Sequence, residues 1–581
     1  MANGRSPRLK GQRLARALWR LIRIYWASSD AKWGGLLLLG AVVLELGTVR
    51  AHLFLAEAQG QTWDSLETRE AAQFLRAMTF LVTSMALLVF ASTYRTYLRQ
   101  ALEIRWRRQL TAHYLGRWMT AEAYCQAEIH RGEIDNPDQR IAEDVREFVA
   151  SALGLSLSLL AAVATLVTFG GLLWGLSRDW PLKVDSAALQ IPGFMLWVAL
   201  GFSLLSMWVT HLVGRPLVAI NFDKLRYEAD FRYGLMRFRD NVETVVFSHG
   251  DVVERLGAIA RFKSVVDNFW QLIRAQRNLN LLTTGIGQLN EIVPLLLAVP
   301  FYFARLISLG KIAQTRIAYG QVAGALGWFV SAYQEIARWR ASIERLDTFA
   351  EMMDATQREI AGPGIRVEPS PGESLRLRDL DLEMPRGRLL VQAANASVAP
   401  GERVAVTGPS GSGKTMLMRA IAGIWSFGAG SIEVPARARK LFLPQWPYLP
   451  MGTLRAAASF PSPEGAFSDE RIRETLELLG LPHLTQRLDE VGQWEQQLSP
   501  HEQQRLALGR VLLHEPEWVF LDKATSALDE EMERRVYQLI AERLPRATLI
   551  SVAHRPEVAE YHDRRWNLAF RDDGRVELNA G

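Results

Sequence analysis

At 581 residues the chain is long enough for three or four domains of ordinary size. Its single cysteine, Cys125, excludes an intrachain disulfide and any cysteine-rich metal centre. A net charge of +5 would suit nucleic acid, but the arginine excess flanks apolar runs, so the expected partner is a lipid bilayer and not nucleic acid.

Residues 1–32 form a basic segment: Arg5, Arg8, Lys10, Arg13, Arg16, Arg20 and Arg23 appear with no acid before Asp30. That charge bias predicts a cytoplasmic N-terminus. No cleavable signal peptide is expected, because the first apolar run comes late and lacks a small-residue cleavage site.

Residues 33–350 read as a membrane domain. Six spans are predicted at 33–55, 74–98, 149–176, 191–213, 281–304 and 318–340, each with about the 20 apolar residues that a bilayer crossing needs. The last two are interrupted by polar residues such as Asn290, Glu291 and Gln321. The stretches 99–148 and 214–277 are long, arginine-rich and helix-like, and suit the cytoplasm; the acidic loop after the first span suits the outside. The basic loop RLISLGKIAQTRIA falls outside, against that trend. Six spans return the C-terminus to the cytoplasm. Among ionisable residues in the apolar runs, Glu45 and Glu291 are expected to line a cavity. Arg50, Arg76 and His211 either do the same or snorkel from span ends.

Residues 351–372 form a linker whose stretch AGPGIRVEPSPG is too rich in proline and glycine for a continuous helix or a central strand. The segment SAYQEIARWRASIERLDTFAEMMDA before it has helical spacing. A soluble α/β domain follows over 373–581, opening with LRLRDLDLEM, which alternates as an antiparallel strand does.

Within that domain, ERVAVTGPSGSGKTMLMRAIAG reads as strand, glycine-rich turn and helix. Gly408, Gly413, Lys414 and Thr415 satisfy the phosphate-loop pattern G-x-x-x-x-G-K-[ST], with Pro409, Ser410, Gly411 and Ser412 between them. Glycines let backbone amides curl around phosphate oxygens, and the helix N-terminus adds its dipole. Lys414 should reach the β and γ phosphates of ATP, and the Thr415 hydroxyl should ligate Mg²⁺. WVFLD reads as a buried parallel strand whose terminal Asp522 would hold the same Mg²⁺, directly or through water.

These residues, with three further segments, resemble the ATP-binding cassette (ABC) half-transporters. Gln445 in LFLPQWPYLP matches the Q-loop glutamine, LSPHEQQRLALGRVLL the signature segment, SALD the D-loop, and His554 in ISVAHR the switch histidine. IDNPDQRIAEDV and GRPLVAINFDKLRYEADFRYGLMRFRDNVE are similar to the exporter-fold branch that includes the peroxisomal fatty-acyl transporters; LFLPQWPYLPMGTLR looks closer to its bacterial SbmA/BacA-like members. The resemblance implies a six-helix all-α transmembrane domain followed by an α/β P-loop cassette. It implies a homodimer, or a heterodimer, in a bacterial inner membrane. Two cassettes would close head to tail around two Mg·ATP. Gln445 would bind Mg²⁺. The signature residues Ser499, Pro500, His501 and Glu502 would act in trans, Ser499 donating to the partner's γ phosphate. Asp529 would serve the D-loop, and His554 would position the attacking water.

Three positions depart from the family pattern. Lys523 stands where the general-base glutamate is usual, and an ammonium cannot accept the proton of water. It could pair with the γ phosphate and slow hydrolysis; alternatively Asp529, Glu530 or His554 supplies a base, or a partner chain supplies an intact site. The signature reads LSPH, where Pro500 lacks an amide and His501 replaces a glycine. Met384 stands at the adenine-stacking aromatic. The expected function is ATP-dependent transport of peptides or other hydrophilic or amphipathic solutes. The alternatives are an ATP-gated transporter driven by an ion gradient, and a fatty-acyl transporter.

Overall fold

A computed structural model describes residues 11–119, 136–178, 180–184, 187–360, 364–385, 389–552, 555–571 and 575–580. The chain divides into two compact units, Met1–Leu115 with Pro137–Thr348, and Gly116–Asn136 with Phe349–Gly581.

The first unit is helical. Helix α1 (Gly11–Trp26) buries Ala17, Leu21 and Tyr25, one residue per turn. Six long helices follow: α2 (Ala31–Thr68), α3 (Ala71–Trp118), α4 (Pro137–Ser177), α5 (Phe194–Asp240), α6 (Asp251–Phe303) and α7 (Leu309–Ile360). Helices α3 and α7 run on into the second unit. Among the described residues, five helices, α2 to α6, are long and apolar enough to cross a membrane. Helix α7 is as long as they are, but Gln321, Ser331, Gln334 and Glu335 dilute the stretch predicted as the sixth span. A short antiparallel hairpin, β1 (Pro181–Val184) and β2 (Ala187–Gln190), joins α4 to α5.

Two close approaches knit this unit. A Cβ on Gly310 would lie 2.2 Å from the Gly60 carbonyl, so α2 and α7 meet backbone to backbone. At that joint Asp64 and Glu67 accept the Gly310 and Leu309 amides at 2.7 and 2.9 Å, placing carboxylates at the positive end of α7. Helix α4 contains a π turn at Arg140–Asp144, within the stretch IDNPDQRIAEDV. Buried Asp144 holds buried Arg140 at 2.8 Å and Arg345 of α7 at 2.9 Å. Helices α5 and α6 pack on each other but bury few residues: Met195, Ala199 and Leu217 on one, Asn268, Leu272, Pro294 and Ala298 on the other. They leave Phe222, Leu225, Tyr233, Phe262, Phe269 and Trp270 exposed.

The second unit is built on a ten-stranded sheet. Its strands are β3 (Arg366–Ser370), β4 (Leu375–Glu383), β5 (Leu389–Val398), β6 (Arg403–Thr407), β7 (Gly428–Pro435), β8 (Lys440–Leu443), β11 (Trp518–Asp522), β12 (Thr548–Val552), β13 (Arg564–Phe570) and β14 (Val576–Ala580). The two-residue strands β9 (Gly452–Thr453) and β10 (Val491–Gly492) pair apart from it. The order is β3-β7-β4-β5-β14-β13-β6-β12-β11-β8. Strands β13, β6, β12, β11 and β8 form the parallel part, and β11 is buried along Trp518–Leu521 as its unbroken apolar run requires. Strand β4 alternates in burial and pairs antiparallel with β5 and β7. Within 351–372, α7 continues to Ile360 and Arg366–Ser370 forms β3. Pro369 is tolerated there because β3 is an edge strand, with a neighbour on one side only.

Candidate functional site

The carboxyl ends of β6, β12 and β11 lie side by side, the usual location of a ligand crevice in a parallel sheet. After β6 the chain turns through 408–413 into α8 (Lys414–Ile421). Gly408, Gly411 and Gly413 take φ of 138°, 82° and 91°, conformations that L side chains rarely adopt. At Gly408 a Cβ would also lie 2.4 Å from the Leu568 carbonyl of β13. Pro409, Ser410 and Gly411 form an exposed rim, and Ser412, Gly413 and Lys414 are buried beneath it. No side chain caps α8, so its first amides are left for a ligand.

Lys414 Nζ donates to the Gly408 and Pro409 carbonyls, both at 2.7 Å, and so lies along the underside of the loop. Burial pushes its ammonium below the ordinary lysine range, and the charge of Lys523 adds to the shift against the pull of Asp522. Thr415 Oγ1 donates to Asp522 Oδ1 at 3.1 Å, which brings together the two expected Mg²⁺ ligands, 107 residues apart in sequence. Burial raises the Asp522 carboxyl, opposed by the Thr415 hydrogen bond and by Lys523, Arg419 and Lys414. The Ser412 hydroxyl is fully buried and lacks a hydrogen-bond partner. An orphaned buried hydroxyl, free helix amides and a lysine under the loop fit a polyphosphate; the Thr415–Asp522 oxygen pair fits a hard cation that takes its remaining ligands from phosphate and water.

Lys523 follows Asp522 with a left-handed φ of 56°, and its carbonyl accepts the Ser526 amide at 3.1 Å. Strand β8 pairs with β11, so Gln445, two residues past β8, leaves the sheet beside the Asp522 end; its side chain is half-buried. His554 lies outside the described residues, but Val552, which ends β12, is paired with Asp522. Met384 follows β4 and packs, half-buried, on the apolar core of the sheet.

Ser499 is the N-cap of helix α9 (Pro500–His514) in a reciprocal capping box with Glu502. Its hydroxyl donates to Glu502 Oε2 at 2.8 Å and accepts the Glu502 amide at 3.4 Å; His483 Nε2 lies 2.9 Å from Glu502 Oε1. Pro500 occupies the first helical position, where an amide would have no intrahelical acceptor, so the missing donor costs the helix nothing. His501 is exposed. Asp529 caps helix α10 (Glu530–Arg543) by accepting the Met532 amide at 2.7 Å.

Two residues that sequence reasoning missed organise these loops. Gln504, 3% exposed, donates from Nε2 to the Gln445 carbonyl at 2.9 Å and to Ser526 Oγ at 3.3 Å, and accepts the Ala527 amide at 2.9 Å. It therefore ties α9 to both the Q-loop and the D-loop. Arg510, also 3% exposed, donates to the carbonyls of Tyr448 and Ala457 at 2.9 and 2.8 Å, and burial pushes its guanidinium down to about 10. The available signal was two polar side chains on the otherwise apolar inward face of the helix, which must find partners. Glu533 of α10 does similar work, accepting from Thr525 at 2.6 Å and from Arg555 at 3.1 Å.

In the helical unit, Glu45 is buried and paired with Arg95 at 2.9 Å. Glu291 is largely exposed and paired with Arg316 at 2.5 Å. Arg50 lies over the Phe54 ring at 5.0 Å.

The sequence profile of ABC transporter transmembrane region 2 matches residues 21–303, and that of the ABC transporter cassette matches 391–526. An uncharacterized ABC transporter ATP-binding protein of Synechocystis is 36% identical over 83% of this chain and 72% of its own length. The inner membrane ABC transporter ATP-binding protein YddA of Escherichia coli is 29% identical over 94% and 95%, respectively. The human lysosomal cobalamin transporter ABCD4 is 27% identical over 99% and 97%. The chain belongs to the ABC transporter family, with a transmembrane region and an ATP-binding cassette carried on one polypeptide.

Proposed function

We propose that the chain is a half-transporter acting as a homodimer in a bacterial inner membrane, binding Mg·ATP tightly, hydrolysing it slowly, and moving peptides or other hydrophilic solutes. The observation that carries the proposal is the Thr415–Asp522 pair beneath the 408–413 loop with Lys523 as the next residue: a complete phosphate and metal seat without its usual base. Lys414 and the α8 amides would bind the β and γ phosphates. Thr415, Asp522 and Gln445 would hold Mg²⁺, which supplies charge neutralisation between the phosphates when bound. Lys523 would add a second cation at the γ phosphate, which favours retention of ATP over activation of water.

The dimer reading is supported by α5 and α6, whose exposed apolar rows need a cover that a second copy would supply. ATP would bridge the phosphate loop of one protomer and Ser499 of the other. Ser499 must then turn the hydroxyl proton that it donates to Glu502 toward phosphate, while the two capping-box bonds, which do not use that proton, can persist. Alternating access follows if ATP binds the closed arrangement more tightly than the open one.

A hydrophilic or amphipathic cargo is supported by the relative named as a cobalamin transporter and by the polar groups within the spans. The buried Glu45–Arg95 pair favours a second reading, in which protonation of a membrane carboxylate drives transport and ATP only gates it. Uptake by proteoliposomes separates the two. Flux that stops with a non-hydrolysable ATP analogue and ignores a pH gradient supports the first; flux that follows the gradient and survives the analogue supports the second. A panel of peptides and corrinoids that leaves ATPase activity flat would remove the cargo assignment.

A further inference from the structure

Helix α1 has a second face that the transport reading does not use. Ala17, Leu21 and Tyr25 point into the protein, where Tyr25 stacks on Trp106 with ring centroids 5.6 Å apart, and Arg20 reaches Asp347 at 2.6 Å. The opposite face presents Arg16, Trp19 and Arg23 at spacings of three and four, with Arg13 at its margin; all four are exposed, Trp19 by 66%. Among the described residues no carboxylate pairs with Arg13, Arg16 or Arg23. Asp30, the first acid in the chain, is already held by Arg105 at 2.9 Å and Arg108 at 3.3 Å.

An indole left in water between two guanidinium groups that no carboxylate pairs with is costly for a soluble surface and suited to a headgroup layer. There the ring meets the ester region and the cations meet phosphodiesters. Continuity supports that setting. Four residues separate α1 from α2, whose outward row of Trp33, Leu36, Leu39 and Val43 is exposed as lipid-facing residues are. The arginines are on α1, and the apolar row follows directly.

We propose that this face of α1 is a binding surface for anionic phospholipid, with Arg16 and Arg23 engaging headgroup phosphates, Arg13 assisting at the edge, and Trp19 seated at the ester layer. The inference rests on the membrane reading of α2 and adds a lipid preference to it.

The test uses the full chain in nanodiscs containing brominated phosphatidylglycerol or brominated phosphatidylcholine at matched mole fractions. The Trp19 share of fluorescence quenching is read as the difference from Trp19→Phe. Phosphatidylglycerol is expected to quench Trp19 at lower mole fraction than phosphatidylcholine. That preference should fall about fivefold with Arg16→Gln and again with Arg23→Gln. Arg16→Lys and Arg23→Lys should retain it, and because both positions are exposed, folding is expected to survive every variant. Equal quenching of Trp19 by both lipids, or quenching of other tryptophans but not of Trp19, overturns the proposal. Failure of either lipid to quench any tryptophan overturns the membrane reading beneath it.

Discussion

Lys523→Glu is expected to turn a slow ATPase into a faster one while weakening its hold on nucleotide. The backbone at this position is left-handed, with φ of 56°. Glutamate and lysine pay a similar cost there, so the exchange asks for no new main-chain geometry. What changes is charge and proton affinity at the residue next to the Thr415–Asp522 pair. A general base contributes about 10²–10⁴-fold, or ~2.7–5.4 kcal/mol at 1.36 kcal/mol per decade, so the rate of phosphate release at saturating Mg·ATP should rise by that range. Affinity should move the other way. Removing the Lys523 charge relieves only the smaller part of the Lys414 shift, which burial dominates, and a carboxylate beside the already raised Asp522 adds repulsion toward the γ phosphate. Lys523→Ala, which removes the cation without adding a base, should weaken binding and leave turnover nearly unchanged. The assay is phosphate release by the full-length protein in nanodiscs, paired with titration of a fluorescent ATP analogue. A wild-type rate of about 1 s⁻¹ or more, with Lys523→Glu no faster, would refute the argument and point to another group as the base.

Four further outcomes are expected. Gly408→Ala should abolish ATP binding in the same titration, because the added methyl meets the Leu568 carbonyl at 2.4 Å and φ is 138°. Gln504→Leu should lower cassette stability by about 2–4 kcal/mol, since it strands the Gln445 carbonyl and the Ala527 amide; it should also slow hydrolysis, and denaturant unfolding with a rate assay checks both. Asp144→Asn should destabilise the helical unit by about 3–5 kcal/mol by removing the buried negative charge that Arg140 and Arg345 share, seen as a loss of thermal stability that Arg140→Met in the same chain partly restores. The fourth concerns pH. Burial holds His514 and His562 below the ordinary value of 6.5, so both bind protons more weakly in the fold than after unfolding. Their contribution is complete above about pH 6.5 and is lost as pH falls toward the folded-state values. The melting temperature of the cassette should therefore drop between pH 7 and 5.5, and His562→Gln should flatten part of the slope. An unchanged slope would place the proton uptake elsewhere.

Much of this protein can be read from the sequence because the informative residues are adjacent or periodic. The phosphate loop is a contiguous eight-residue string whose glycines and lysine have few other uses together, and α2 to α6 announce themselves by length and hydropathy. The buried strand ending at Asp522 is equally local, since a short unbroken apolar run suits a parallel strand buried on both faces.

Other features needed the folded chain, and each for a definable reason. Pro500 looks like a defect in the signature until the structure places it at the first helical position, where an amide has no partner to lose. Pro369 looks like linker until β3 is found at the sheet edge. Gln504 and Arg510 gave no motif because their partners are mainly backbone groups 22 to 62 residues away, and a peptide carbonyl has no sequence signature. Glu45 and Glu291 read alike as acids in apolar runs, yet one is buried against Arg95 and the other lies exposed beside Arg316. The amino-acid sequence alone determined which chemistry the chain could carry, because catalytic groups and hydrophobic period are local properties. Tertiary structure alone decided which of those groups meet, because register, helix faces and the accounting of buried polar atoms depend on neighbours distant along the chain.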